Sequence, residues 1–287
     1  MTVAHAPGPT PPNDDWAGEM GARWLANLAG FEATIAPVGE ALLARAAFRP
    51  GERVIDIGCG GGATSLAIAR AVAPTGSVLG VDLAAGLVAE CDRRAAAAGL
   101  ANARFHCADA ASVIPEGAPF DRLCSRFGSM FFADPVAAFT HLRSLVRPGG
   151  RIDLAVWAAP KDNPWMQRGM AVAREHLDLP MPVPRAPGPF AFAETAYLAE
   201  ILAAAGFCAV TFAPVEGELA LGGAGASPAQ ARDFACAALA FGPMLQNAPA
   251  ETRDAVREGL LALYAAHHRP GAGVMMGFKA WLVSAQA

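Results

Sequence analysis

Lysine is nearly absent: the sequence holds two, Lys161 and Lys279, against twenty arginines, and its net charge is −4. No basic run exists of the kind that nucleic acid or an anionic lipid surface favours, so neither is expected as a partner. No apolar stretch reaches membrane-spanning length. One long uncharged candidate, 201–215, contains Gly206 and Pro214 and reads as a helix end followed by a strand. The N-terminus, "MTVAHAPGPTPPNDD", lacks the charged and apolar regions of a leader, and 1–15 reads as a flexible proline-rich tail. No CxxC or zinc spacing appears. The six cysteines are scattered singly, as small buried hydrophobes in a reducing cytoplasm would be, and no metal is expected. No GxSxG, HExxH or Cys–His signature of a nucleophilic or zinc hydrolase is present. What remains is 287 residues, 54% apolar and 17% charged, enough for one sizeable core.

Trp16, Met20, Trp24 and Leu28 fall at four-residue spacing, on one face of a helix. With a second helical pattern to Phe48 they make an N-terminal helical segment over 16–48, either plain core or a lid. Strands and helices then alternate: strands over 54–57, 78–83, 103–108, 120–127 and 151–157, with helices over 63–72, 87–98 and 135–146. Such alternation predicts a parallel sheet covered by helices on both faces. After Trp157 the rhythm breaks. The stretch "PMPVPRAPGPF" makes 158–192 a loop around one short helix. A helix over 195–205 and a strand over 208–215 follow. Gly222 opens a second insert, 222–273, expected as a helical pair between two glycine-rich joints, with Ser227 as a helix N-cap. The closing "AWLVSAQA" reads as a last strand.

The stretch "VIDIGCGGG" (54–62) is a strand running into a glycine turn. Gly58, Gly60 and Ala63 fit G-x-G-x-x-A, and Asp82 falls about 20 residues past the turn, where a ribose-binding acid belongs. Taken alone, that pattern suits a nicotinamide cofactor. Asp56 argues against it, because a carboxylate just before the loop repels a pyrophosphate. S-adenosylmethionine carries a sulfonium and an ammonium instead, and both welcome an acid. Asp109 adds a third acid at the end of a third strand, in reach of an adenine amine. Three acids around the crevice of an open α/β sheet suit a cationic nucleoside.

The motifs "DIGCGGG", "GVDLA", "ADA", "FDRLCSRFGSMFFADP" and "RPGG", in that order, resemble those of class I S-adenosylmethionine-dependent methyltransferases. The small-molecule branch that includes the ubiquinone and menaquinone C-methyltransferases is the most similar. The resemblance covers 49–157 and implies a Rossmann-like, seven-stranded, mostly parallel sheet with its last strand antiparallel, all within 49–287. It implies that Asp56, Gly58, Cys59 and Gly60 hold the methionine end of the cofactor. Asp82 and Leu83 would take the ribose, and Asp109 with Ala110 the adenine. Ser125 and Arg126 would line the methionine side, with Trp24 closing over it. Leu87 stands near where the family often has a methionine.

Methyl transfer needs alignment and desolvation more than a nucleophile. No catalytic residue is assigned. His141, His176 and His267 are candidate bases, each as readily a packed or solvated residue. The inserts are apolar and aromatic, and Phe127, Met130, Trp157, Trp165 and Phe241 are the expected acceptor contacts, for an apolar or aromatic small molecule. A nicotinamide-dependent oxidoreductase and a methyltransferase-like protein that binds cofactor without turnover are the rival readings. A homo-oligomer is compatible with all three.

Overall fold

The computed structural model describes residues 15–287. The tail expected over 1–15 lies outside the described residues except for Asp15. The N-terminal segment forms two helices, α1 (Glu19–Ala26) and α2 (Leu28–Ala46). They part at Asn27, whose side-chain amide donates to the Arg23 carbonyl at 2.9 Å and satisfies one carbonyl that a helix end leaves free.

The alternating region gives β1 (Arg53–Ile57), α3 (Ala63–Val72), β2 (Ser77–Asp82), α4 (Ala85–Ala97), β3 (Ala103–Cys107), β4 (Phe120–Arg126), α5 (Pro135–Ser144) and β5 (Val146–Trp157). Neighbours in the order β3-β2-β1-β4-β5 are parallel. Val54, Ile55 and Ile57 of β1 are all buried, because helices cover both faces of a parallel sheet. The chain continues through α6 (Pro164–Arg174), α7 (Thr195–Ala204), β6 (Cys208–Ala220), α8 (Pro228–Ala238), α9 (Gly242–Asn247), α10 (Ala250–Ala266), β7 (His268–Arg269) and β8 (Gly273–Gln286). β8 enters between β5 and β6, antiparallel to both, so the main order is β3-β2-β1-β4-β5-β8-β6. The two-residue β7 pairs with β8 from the side.

Three details depart from the sequence expectation. β6 and β8 are longer than expected, reaching Ala220 and starting at Gly273. Glu216, Gly217 and Glu218 look like loop chemistry, yet Lys279 lies 2.9 Å from Glu216 and Arg269 lies 2.6 Å from Glu218. Those cross-strand pairs place the acids on an exposed sheet face. "RPGG" is absorbed into the start of β5, where the β4–β5 register shifts, instead of ending a helix. The second insert holds three helices, not a pair, since the short α9 separates α8 from α10. Ser227 does cap α8, in a full capping box with Gln230.

The strand order turns at β1, which has β2 on one side and β4 on the other. Ligand crevices form outside the carboxyl ends of such strands. Ile57, Asp82, Arg126 and Trp157 end β1, β2, β4 and β5 there.

Candidate active site

β1 ends in a turn that only glycine serves well at three positions. Gly58, Gly60 and Gly62 have φ of 64°, 55° and 83°. A Cβ on Gly58 would stand 2.6 Å from Cα of Gly128, so the turn touches the backbone that follows β4. Asp82 fixes the turn from the side. Its carboxylate accepts from the Gly60 N–H at 2.8 Å and from the Ala84 N–H at 2.9 Å, tying the β1 and β2 loops together. Burial raises its pKa, and those backbone donors oppose the rise.

Asp56 is 1% exposed and lies beneath the loop. Its carboxylate accepts from the Ser65 hydroxyl at 2.5 Å. Burial pushes its pKa up to about 6, against the Ser65 bond and the positive charge of Arg126. Cys59 is buried, and the Cys91 thiol donates to the Gly60 carbonyl at 3.0 Å. The neighbouring Cys91 and burial hold the Cys59 thiol well above its ordinary range, so it is an inert loop residue.

The half-buried Arg126 makes no hydrogen bond or ion pair to any described residue, although Asp56 and Glu32 are near enough to favour its charge. Burial lowers its pKa. Its guanidinium lies against α2, where a Cβ on Gly39 would meet Nη1 at 2.6 Å. Ser125 plays a different part. Fully buried, it donates to the Ile57 carbonyl at 2.8 Å and accepts from the Ser129 N–H at 3.2 Å, clasping β4 to β1. On the far side Leu83 and Asp109 are exposed and Ala110 is buried. Asp109 accepts from the Ala111 N–H at 2.8 Å.

The N-terminal helices lie directly on these loops. A Cβ on Gly21 would meet Ala84 at 2.6 Å, and one on Gly61 would meet Leu28 at 2.6 Å. Trp24 Nε1 would stand 3.7 Å from a Cβ on Gly60, and the Trp24 ring stacks on Phe31 at 3.8 Å. Phe31 meets Phe234 of α8 edge-on at 5.2 Å, so the second insert touches the same cover.

Of the expected acceptor contacts, Phe127, Trp157 and Trp165 come together. Phe127 stacks on Trp157 at 4.0 Å, and Trp157 meets Trp165 at 5.3 Å. Met130 is buried in the turn after β4. Phe241 is also buried, but it opens α9 inside the insert and makes no ring contact with the other three. The histidines are engaged elsewhere or exposed. His141 pairs with the Val113 carbonyl at 2.8 Å, His267 lies 2.6 Å from Arg168, and His176 faces solvent. Phe31 and Ser129 escaped sequence reasoning, whereas Phe234 reads from sequence as one of the aromatics of the second insert and Tyr264 as one more apolar-face residue.

This strand order, a glycine turn latched by the acid that ends β2, and a strand antiparallel to both its neighbours make a Rossmann-like fold of the kind seen in methyltransferases. Residues 54–150 match the methyltransferase domain family, and S-adenosylmethionine is the cofactor of that class. Nocamycin O-methyltransferase of Saccharothrix syringae is 34% identical over 118 residues, covering 41% of this chain and 42% of that protein. Aklanonic acid methyltransferase of a Streptomyces species is 34% identical over 116 residues, covering 40% of this chain and 53% of its own. The chain therefore spans about half the length of these relatives, or less. Among solved structures, the YcgJ protein of Bacillus subtilis superposes with a TM-score of 0.56 at 18% identity, over 87% of this chain and 97% of that one. The methyltransferase match displaces the nicotinamide reading of the glycine loop.

The residues fit this cofactor. The cradle excludes Cβ atoms, Asp82 keeps lone pairs beyond its two backbone bonds, and Arg126 offers a guanidinium with no hydrogen bond among the described residues. Among the described residues no helix is long and apolar enough to cross a membrane.

Proposed function

We propose that the chain transfers a methyl group from S-adenosylmethionine to a small apolar or aromatic acceptor held under its two inserts. The observation that carries this is the aromatic run Phe127–Trp157–Trp165, which starts where β4 meets the glycine turn. The bound cofactor supplies a methyl group already activated by its sulfonium. The chain supplies the rest. Gly58 and Gly60 would seat the methionine end, and Arg126 would take its carboxylate. Asp82 would accept from the ribose hydroxyls, with Leu83 beside the sugar, and Asp109 with Ala110 would bracket the adenine. Asp56 acts from below, as a buried negative charge under a cationic ligand. Trp24 and α1 would exclude water, which strengthens each of these interactions. One relative is named an O-methyltransferase, which favours oxygen as the methylated atom. Six free cysteines fit a reducing compartment such as the cytoplasm.

Calorimetry with S-adenosylhomocysteine tests the cofactor assignment, and tight NAD(H) binding in its place would overturn it. A second reading, cofactor binding without turnover, draws on the absence of a histidine at the crevice among the described residues. Labelled S-adenosylmethionine incubated with a metabolite library separates the two: label in a small molecule supports transfer, and none supports a binding protein.

A further inference from the structure

A cavity of about 230 Å³ lies at the end of the sheet opposite the crevice, where β1, β4 and β5 begin. It is lined by four arginines, Arg49, Arg122, Arg147 and Arg151, by the acids Glu52 and Asp121, and otherwise only by alanine and glycine. Such a wall gives an apolar body nothing to pack on. The volume falls below the roughly 300–1,000 Å³ of sites that take drug-sized ligands, so the space suits a small polar molecule.

Two of the arginines are fixed in place by the fold. Arg122, 7% exposed, and Arg151 both donate to the Ala46 carbonyl at the end of α2, at 2.9 and 2.6 Å, and both pair with the buried Asp153. Arg122 also lies over the Phe48 ring at 4.7 Å. The acids at this end are committed, because every carboxylate oxygen already accepts a hydrogen bond. Glu52 takes the Arg49 N–H and Arg122, Asp121 takes the Arg53 N–H and Arg147, and Asp153 takes Arg122, Arg151 and Ser284. The Ala287 oxygen accepts from the Gly149 N–H at 2.9 Å. Donors are left over. The Arg49 guanidinium makes no hydrogen bond or ion pair among the described residues, and Arg147 and Arg151 leave Nη2 and Nη1 without one.

We infer that this cavity binds a phosphoryl oxyanion, as free phosphate or as the head of a small phosphate monoester. Arg49, Arg147 and Arg151 clamp it, since guanidinium forks match the oxygens of phosphate in both geometry and charge. The existing acids orient the inner arginines, and the oxyanion takes the outer N–H groups that those acids do not reach. The site stands at the opposite end of the sheet from the glycine turn, so the inference is independent of methyl transfer.

The test is calorimetry of the full chain with inorganic phosphate and with glycerol 3-phosphate, at ionic strength held constant with chloride. Wild type should show saturable binding of one stoichiometric anion. Arg49→Gln should weaken it about tenfold, the loss of charge-assisted hydrogen bonds, and Arg49→Lys should restore part of the loss. The Tm of Arg49→Gln without phosphate should equal that of wild type, since the guanidinium has no partner to lose. Tighter binding of glycerol 3-phosphate identifies an ester as the ligand, and tighter binding of inorganic phosphate identifies the free anion. Failure of both probes to bind overturns the inference, as does equal affinity in wild type and Arg49→Gln. A lower Tm for the unliganded variant overturns it too, by giving Arg49 a structural partner in place of an anion.

Discussion

The backbone N–H of Gly60 donates to Asp82 at 2.8 Å, so one carboxylate both shapes the glycine turn and faces the crevice. A side chain with two duties loses both when it is removed.

Asp82→Ala should therefore weaken S-adenosylhomocysteine binding by about 1.5–3 kcal/mol, the loss of charge-assisted hydrogen bonds to ribose hydroxyls. The freed Gly60 and Ala84 amides should also exchange hydrogen faster in the unliganded protein. Calorimetry and hydrogen exchange read the two effects separately. Unchanged affinity would refute the ribose assignment.

Asp56 makes a stability prediction with a definite sign. Its folded pKa is about 6, above the ordinary 3.8, so the folded state holds this proton more tightly than the unfolded chain. Its contribution favours folding below about pH 4 and is lost as pH rises through 6, a change of about 3 kcal/mol. Asp56→Asn keeps an acceptor for Ser65 and removes the charge. Its Tm should exceed that of wild type at pH 7.5, and the gain should vanish near pH 4. The same variant should bind S-adenosylhomocysteine less tightly, with a smaller deficit at high salt if the effect is Coulombic. A wild-type-like pH profile of Tm would contradict the buried charge.

Trp24→Ala takes away the ring stacked on Phe31 above Gly60. Cofactor affinity should fall about tenfold, chiefly through faster dissociation, because the lost group is a cover and not a charge. Stopped-flow displacement of S-adenosylhomocysteine measures this directly.

The second insert offers a cleaner deletion than its length implies. Its two ends meet: the Gly225 N–H donates to the Ala272 carbonyl at 2.9 Å, and the Leu221 N–H to the Val274 carbonyl at 2.9 Å. Replacing 226–271 with a short turn should keep S-adenosylhomocysteine affinity within about threefold while abolishing methyl transfer, if the proposed wall of the acceptor site is what the turn removes. Transfer at the normal rate would make the insert structural.

The parts legible in the sequence were those that local chemistry fixes. Gly58, Gly60 and Asp82 act within two adjacent loops, and their spacing alone announces them. The alternation of strands and helices was legible for the same reason. Contacts between distant segments were not. Glu216 and Glu218 look like loop residues until the fold brings Lys279 and Arg269 into ion pairs with them. Phe241 and Trp165 are alike as buried aromatics, and only the folding of the two inserts sends Trp165 to Trp157 and Phe241 to the start of α9. Tyr264 reads as one more apolar-face residue, since nothing near it in the chain reveals that its hydroxyl finds no partner.

The edge contact between Phe31 and Phe234 joins the helices over the glycine turn to the second insert. Two segments that touch do not open independently. On the proposed reading, a ligand under one should stiffen the other, so the two ligands would be thermodynamically coupled, with a coupling equal in both directions. S-adenosylhomocysteine should sharpen affinity for an acceptor-like molecule by the factor with which that molecule sharpens affinity for S-adenosylhomocysteine. Phe234→Ala should pull that shared factor toward one while leaving each ligand able to bind alone.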